Sequence, residues 1–306
     1  MAPTQPSGGA YSLGTHELQL ITNIVVLASI YSLIACGYVL IYRVSRALNL
    51  AHGELMMLGA YLLLATASLF SGSAVLAIVA AVALSATTGV LVYVLLMRKM
   101  TGEMVLAAIL TTVALGILVR GVLVLIWSSQ QQYPAQALHV GNPTLAIGSA
   151  HVSAWSLVLV LLNAAVYGGL FIFLRYGRWG IRMRAAGQNA LLAAQRGINL
   201  HRVYALAWAL STFTGAAAGM LIALDSGVTM SMPVIALKAF PAALVGGLDS
   251  LAGALLGGLI VASAEVLLIY YVDPLLSDVV PFVVLIAMLI VRPWGLFGTR
   301  EELDRV

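Results

Sequence analysis

RYGRWGIRMRAAGQNALLAAQRGINLHR (Arg175–Arg202) is the one long charged stretch in a chain that is otherwise almost continuously apolar. It carries six arginines (Arg175, Arg178, Arg182, Arg184, Arg196 and Arg202) and no acidic residue, with a hydrophobic run on each side. Basic loops between apolar runs collect on the cytoplasmic side of membrane proteins. Read as such a loop, this stretch sets the orientation of everything around it.

The 306 residues are 62% hydrophobic and 8% charged, whereas about a quarter of a soluble domain is charged. So few charges cannot clothe a water-facing surface, and the chain is an integral membrane protein. Runs near the ~20 residues needed to cross the hydrocarbon core are Leu18–Tyr42, Ala51–Phe70, Ala74–Met97, Met104–Trp127, Ser153–Leu174, Val203–Leu224 and Leu251–Val272. Pro233–Gly247 and Val279–Val291 are shorter. Because backbone groups must pair within their own segment in lipid, the expected fold is all-α: one polytopic bundle over residues 1–306, with about eight to nine spans including broken or re-entrant ones. Residues 1–17 read as a polar tail without a basic signal-peptide region, and 292–306 as a basic C-terminal tail. Of 15 Lys and Arg, only Arg120 and Lys238 fall inside hydrophobic segments; all the others fall on one side if Pro233–Gly247 crosses. That places the N-terminus outside and the C-terminus in the cytoplasm. Ser128–Val152 is then an outer loop, polar, neutral and too short to capture solute alone. The lone Cys36 excludes an intrachain disulfide or a cysteine metal cluster.

Within 175–202, Ala185–Leu200 suits a short helix on which Ala190, Ala193, Ala194 and Gly197 align. Such a small-residue face fits a groove on a cytoplasmic partner; the same loop equally fits anionic lipid. In NLAHGE (Asn49–Glu54), Asn49 suits an N-cap, Glu54 the positive helix end and Gly53 close packing, while His52 and Glu54 are candidates to meet a polar solute. A capped helix entry with no ligand role accounts for the same residues. Gly215/Gly219 and Gly253/Gly257 are spaced for close helix packing. Arg120, Lys238 and Glu265 lie at membrane depth, where an ion marks a pathway, a pair or an interface. Two broken, glycine-containing stretches, Asn49–Gly59 and Lys238–Gly258, the latter with Gly246 and Gly247, point to a transport pathway. Neither lysine sits in a P-loop, so any ATP chemistry belongs to another chain. No metal-site or serine-protease motif is present. A stand-alone channel or carrier and an intramembrane enzyme are the rival classes; so few intramembrane ions argue against a proton-coupled carrier.

NLAHGELMMLGAY (Asn49–Tyr61), RAAGQNALLAAQRGIN (Arg184–Asn199), Lys238–Gly258 and RPWGLFG (Arg292–Gly298) resemble, in order, segments of branched-chain amino acid ABC transporter permeases, the smaller LivH-like type. The family also includes permeases for urea and short-chain amides. The resemblance implies a non-enzymatic inner-membrane subunit that forms half of a pathway. A second homologous permease, two cytoplasmic ATPases that bind ATP and Mg, and a periplasmic solute-binding protein are its implied partners, with lipid around it and no nucleic acid. It implies that Arg184, Gly187, Gln188, Asn189, Ala193, Ala194, Gly197 and Ile198 belong to the ATPase-coupling loop. Asn49, His52, Gly53, Glu54, Lys238, Gly246, Gly247 and Glu265 remain the pathway candidates. The family loop often has an acidic residue just after Q-N, whereas Ala190, Leu191 and Leu192 follow here.

Overall fold

A computed structural model describes residues 9–70 and 72–299. Residues 1–8 of the expected N-terminal tail and 300–306 of the C-terminal one, with Arg300 and Arg305, lie outside the described residues. In chain order the helices are α1 (Gly9–Ser45), α2 (His52–Leu69), α3 (Ala74–Val92), α4 (Arg98–Met100), α5 (Val105–Trp127), α6 (Pro134–Ala137), α7 (Ala154–Tyr176), α8 (Arg178–Gln188), α9 (Ala190–Gln195), α10 (Leu200–Ser226), α11 (Met232–Gly246), α12 (Leu251–Tyr271) and α13 (Val280–Val291). A π-helical turn, Tyr93–Met97, joins α3 to α4, and a 3₁₀ turn, Pro274–Asp278, precedes α13. Among the described residues seven helical stretches are long and apolar enough to cross a membrane, and α11 and α13 are shorter. The bundle is the expected polytopic all-α fold.

Two local expectations change. Residues 9–17, expected in a polar tail, already belong to α1; Ala10, Leu13 and Glu17 there favour helix. The outer loop contains a small hairpin, β1 (Thr144–Ile147) paired antiparallel with β2 (Ala150–Ser153). Gly148 takes a left-handed conformation (φ 63°) in its two-residue turn, the position where such turns favour glycine.

α1 and α10 form the middle: 72% of the most apolar 18-residue stretch of each is buried, against 22% for α5. Small residues bring the central helices together. A methyl group added at Gly219 would lie 2.9 Å from Met56 Cγ, and one at Gly59 2.7 Å from Ala216 Cα, so α2 and α10 pack nearly backbone to backbone. On α12, a methyl group at Gly258 would meet Ser32 of α1 at 2.9 Å, and Gly253 and Gly257 lie against Gly246 and Ala242 of α11. Such contacts let dispersion and packing hold helices that have no hydrophobic drive in lipid.

The two ends of the bundle differ. At one, Gln19 binds the His151 backbone, and Gln132 and Val228 exchange backbone hydrogen bonds. At the other, Gly187 of the arginine-rich loop presses on the Arg43 carbonyl at the end of α1. Tyr42, Leu244, Asp249, Pro293 and Trp294 line a shared groove at that same end. The segment after α10 therefore starts at the hairpin end, and α11 finishes at the arginine end.

Candidate translocation cleft and coupling surface

α2 does not start where α1 stops. Residues 46–51 turn back into the bundle, and His52 Nε2 lies 3.2 Å from the carbonyl of Ile34. Ile34 precedes Ser45 by eleven residues, about 16 Å along a helix. His52 is fully buried. Its ring is wedged between Gly37 and Gly215, where an added methyl group would overlap it, and it packs on the Tyr38 ring at 4.6 Å. The helix N-cap is Ala51, not Asn49. Asn49 instead accepts a bond from Ala51 N–H at 3.1 Å, a tight turn two residues before the helix that lets the chain re-enter.

α11 mirrors this arrangement. Residues 227–231 descend from the hairpin end, and α11 begins at Met232 with Pro233 in its first turn, where a missing N–H costs nothing. A methyl group added at Gly53 would lie 3.1 Å from Pro233 and from Ala236 Cβ. The starts of α2 and α11 thus touch at mid-depth. From there α2 runs toward the hairpin end, where Tyr61 packs on Trp127, and α11 runs the opposite way. At 15 residues α11 is ~22 Å long, short of the ~30 Å hydrocarbon core, because unwound chain supplies the rest. The second break therefore lies at 227–231, upstream of the Lys238–Gly258 stretch. Its apolar Val228 and Met230 hid it; Pro233 was the available signal.

A cleft of about 280 Å³ opens at this junction. Tyr38, Leu50 and Gly53 form one part of its wall, Pro233, Val234, Leu237 and Phe240 of α11 another, and Glu54 and Arg120 supply its charges. Arg120 Nη2 donates to the Met230 carbonyl at 2.5 Å, bracing the unwound segment. Glu54 is half-buried, and Gly116 of α5 leaves room for its carboxylate, a methyl group there lying 3.2 Å from Cδ.

The other pathway candidates lie elsewhere. Lys238 points from the opposite side of α11 and donates to Glu265 Oε1 at 2.5 Å and to Ser277 at 2.9 Å. Glu265 also accepts from Tyr31 at 2.6 Å and Ser277 at 2.8 Å. This satisfied network ties α1, α11, α12 and the 3₁₀ turn together beside a cavity of about 260 Å³. Gly246 and Gly247 sit at the far end of α11. There Gly247 has φ 105°, and Leu296 and Phe297 N–H groups bond the Val245 and Gly246 carbonyls at 2.9 and 3.0 Å. The RPWGLFG segment is thus the C-terminal cap of α11, satisfying carbonyls that a helix end leaves open. Asp249 accepts from Thr299 N–H and hydroxyl to hold it there.

The arginine-rich loop is not one helix. Asn189 adopts an extended conformation, ends α8, and caps α9 by accepting from Leu192 N–H at 2.9 Å. Gly197 (φ 82°) stands outside the helix. Ile198 N–H bonds the Ala193 carbonyl at 3.1 Å and Gly197 N–H the Ala194 carbonyl at 2.9 Å, a Schellman stop. The single small-residue face drawn from spacing therefore breaks up. Ala193 is buried, Ala194 exposed, and Gly197 lies off the end, whereas Leu191 and Leu192 are 69% and 56% exposed. Gly187 seats the loop on α1, Gln188 is exposed, Ile198 is half-buried, and Arg184 donates to the Arg175 carbonyl at 3.3 Å.

Residues 20–289 match the family model described as "Branched-chain amino acid transport system / permease component". The high-affinity branched-chain amino acid transport system permease protein LivH of Escherichia coli is 31% identical, over 95% of this chain and 98% of its own. The corresponding permease BraD of Pseudomonas aeruginosa is 29% identical over the same shares. A probable LivH of Methanocaldococcus jannaschii is 26% identical over 92% of this chain and 93% of its own. The solved structure of PsaBC from Streptococcus pneumoniae, in complex with Fab, overlays 94% of this chain and 97% of its own at a TM-score of 0.48 and 13% identity. With a match that spans nearly the whole bundle, from α1 to α13, this chain belongs to the family of permease components of branched-chain amino acid transport systems.

Proposed function

We propose that this chain is one of two permease subunits of an ATP-driven importer for branched-chain amino acids. The observation that carries the reading is the pair of broken helices. α2 and α11 start together at mid-depth from opposite ends, beside a cleft that contains both signs of charge. Transporters build solute sites from such discontinuous helices near the bilayer midplane. A second homologous permease closes the cleft from the other side, and a periplasmic binding protein delivers leucine, isoleucine or valine to it.

Two cytoplasmic ATPases, which bind ATP and Mg, dock on the arginine end. Leu191 and Leu192 enter an apolar groove there in the helix-in-groove manner, and the exposed Arg178, Arg182 and Arg196 of the same loop pair with acidic groups of that partner. The loop is seated on α1 through Gly187 and Arg43, and α1 carries the glycine notch that holds His52. A shift of the loop is thereby passed to the start of α2. The basic end faces the cytoplasm by the positive-inside rule, which puts the N-terminus outside.

Purification with its cognate subunits tests this reading. The chain should bring down a second permease and two ATPases, and ATP hydrolysis in proteoliposomes should rise with leucine only when the binding protein is present. Leucine uptake by this chain alone, without ATP, overturns it. So does a binding protein that is stabilised thermally by urea or short amides and not by leucine, isoleucine or valine.

A further inference from the structure

Among the described residues, two ion systems at membrane depth are built differently. Lys238 and Glu265 neutralise one another within 2.5 Å, with a tyrosine and a serine completing the carboxylate's partners. Glu54 and Arg120 line one cleft, yet no salt bridge joins them, and Glu54 makes no hydrogen bond to any described residue. Arg120 uses one N–H on the Met230 carbonyl and keeps the rest of its planar fork. A charge held at membrane depth without a counter-ion is costly and marks a functional position. Two of opposite sign, on α2 and α5 and facing one space, call for a ligand that has both signs itself.

The walls between them narrow the choice further. Tyr38, Val234, Leu237 and Phe240 are aliphatic or aromatic. The volume of about 280 Å³ lies just below the ~300–1,000 Å³ range of drug-sized sites, as a small solute requires. We infer that this cleft is a solute subsite for a zwitterionic α-amino acid with an aliphatic side chain. Arg120 takes the carboxylate, in the bidentate geometry guanidinium groups favour. Glu54 takes the ammonium, and the α11 face of Val234, Leu237 and Phe240 takes the side chain. Urea and short amides are uncharged and leave both ions unmet. This assignment rests on the cleft being part of the transport pathway.

The test uses the complete transporter in proteoliposomes: both permeases, both ATPases and the binding protein. Arg120→Gln and Glu54→Gln should each lower ATP-driven leucine uptake by about tenfold or more, the scale of one lost charge-assisted contact. In parallel, Leu237→Cys, with native Cys36 buried, is labelled with a maleimide. Leucine should slow that labelling, while isocaproate, which lacks the ammonium, and isoamylamine, which lacks the carboxylate, should not. Wild-type uptake with both Gln variants within about twofold of it overturns the subsite and leaves the importer reading intact. Equal protection by all three compounds does the same. If the Gln variants fail to assemble, the labelling comparison alone decides. A wild-type complex that takes up no leucine removes the importer reading and the subsite with it.

Discussion

Lys238 and Glu265 show how a buried ion pair fixes helices in place. Their side chains are 12% and 3% exposed. Losing one member of such a pair typically costs ~3–5 kcal/mol, because the other charge stays buried and uncompensated. The two losses are unequal here. Without Glu265, Lys238 still has Asp278 at 3.4 Å, whereas without Lys238 the carboxylate keeps only its neutral donors. Lys238→Met should therefore lower the thermal stability of the detergent-purified protein more than Glu265→Gln, and Lys238→Met/Glu265→Leu should recover much of the loss. Melting curves of the three variants check the order. At this scale the sequence showed which ions lie at depth but not how they group. Arg120, Lys238 and Glu265 looked alike along the chain, and the face of the helix each occupies separated a satisfied pair from an open cleft.

Among the elements, α9 and the C-terminal cap carry consequences that spacing alone did not show. Gly197 sits in a left-handed stop, so Gly197→Ala should destabilise the loop by ~1 kcal/mol through backbone strain and act on coupling only indirectly. The exposed pair is the sharper target. Leu191→Ser/Leu192→Ser should lower leucine-stimulated ATP hydrolysis of the assembled complex about tenfold while leaving the melting temperature of the isolated permease within a degree or two, since exposed substitutions rarely shift stability by more than ~0.5 kcal/mol. Loss of thermal stability without loss of coupling would show that these leucines pack internally instead. Leu296→Pro removes the N–H that bonds the Val245 carbonyl at 2.9 Å. That leaves a helix end partly unsatisfied at a cost of ~1–3 kcal/mol, and a lower melting temperature should report it. The arginines announced the loop and the 3.6 period announced a helix. Asn189 and Gly197 then cut that helix to Ala190–Gln195, and capping residues placed mid-stretch were the overlooked signal.

For the whole molecule, the prediction concerns sidedness. In sealed, right-side-out vesicles, a cysteine at Gln130 on the hairpin end should react with an impermeant maleimide, and one at Gln188 on the arginine end should react only after permeabilisation. The reverse pattern would invert the orientation. Composition and charge position were enough to determine an all-helical membrane protein, the approximate spans, and one basic end, because transfer into lipid and attraction to the cytoplasmic side depend on residue type and place along the chain. The ordered motifs were enough to determine the family. Only the tertiary structure decided that α2 and α11 begin together inside the bundle, that His52 fills a notch between two glycines instead of lining the cleft, and that RPWGLFG caps a helix some fifty residues upstream. Those outcomes depend on which backbones approach closely enough to touch, a property of helices packed side by side that no single stretch of sequence contains.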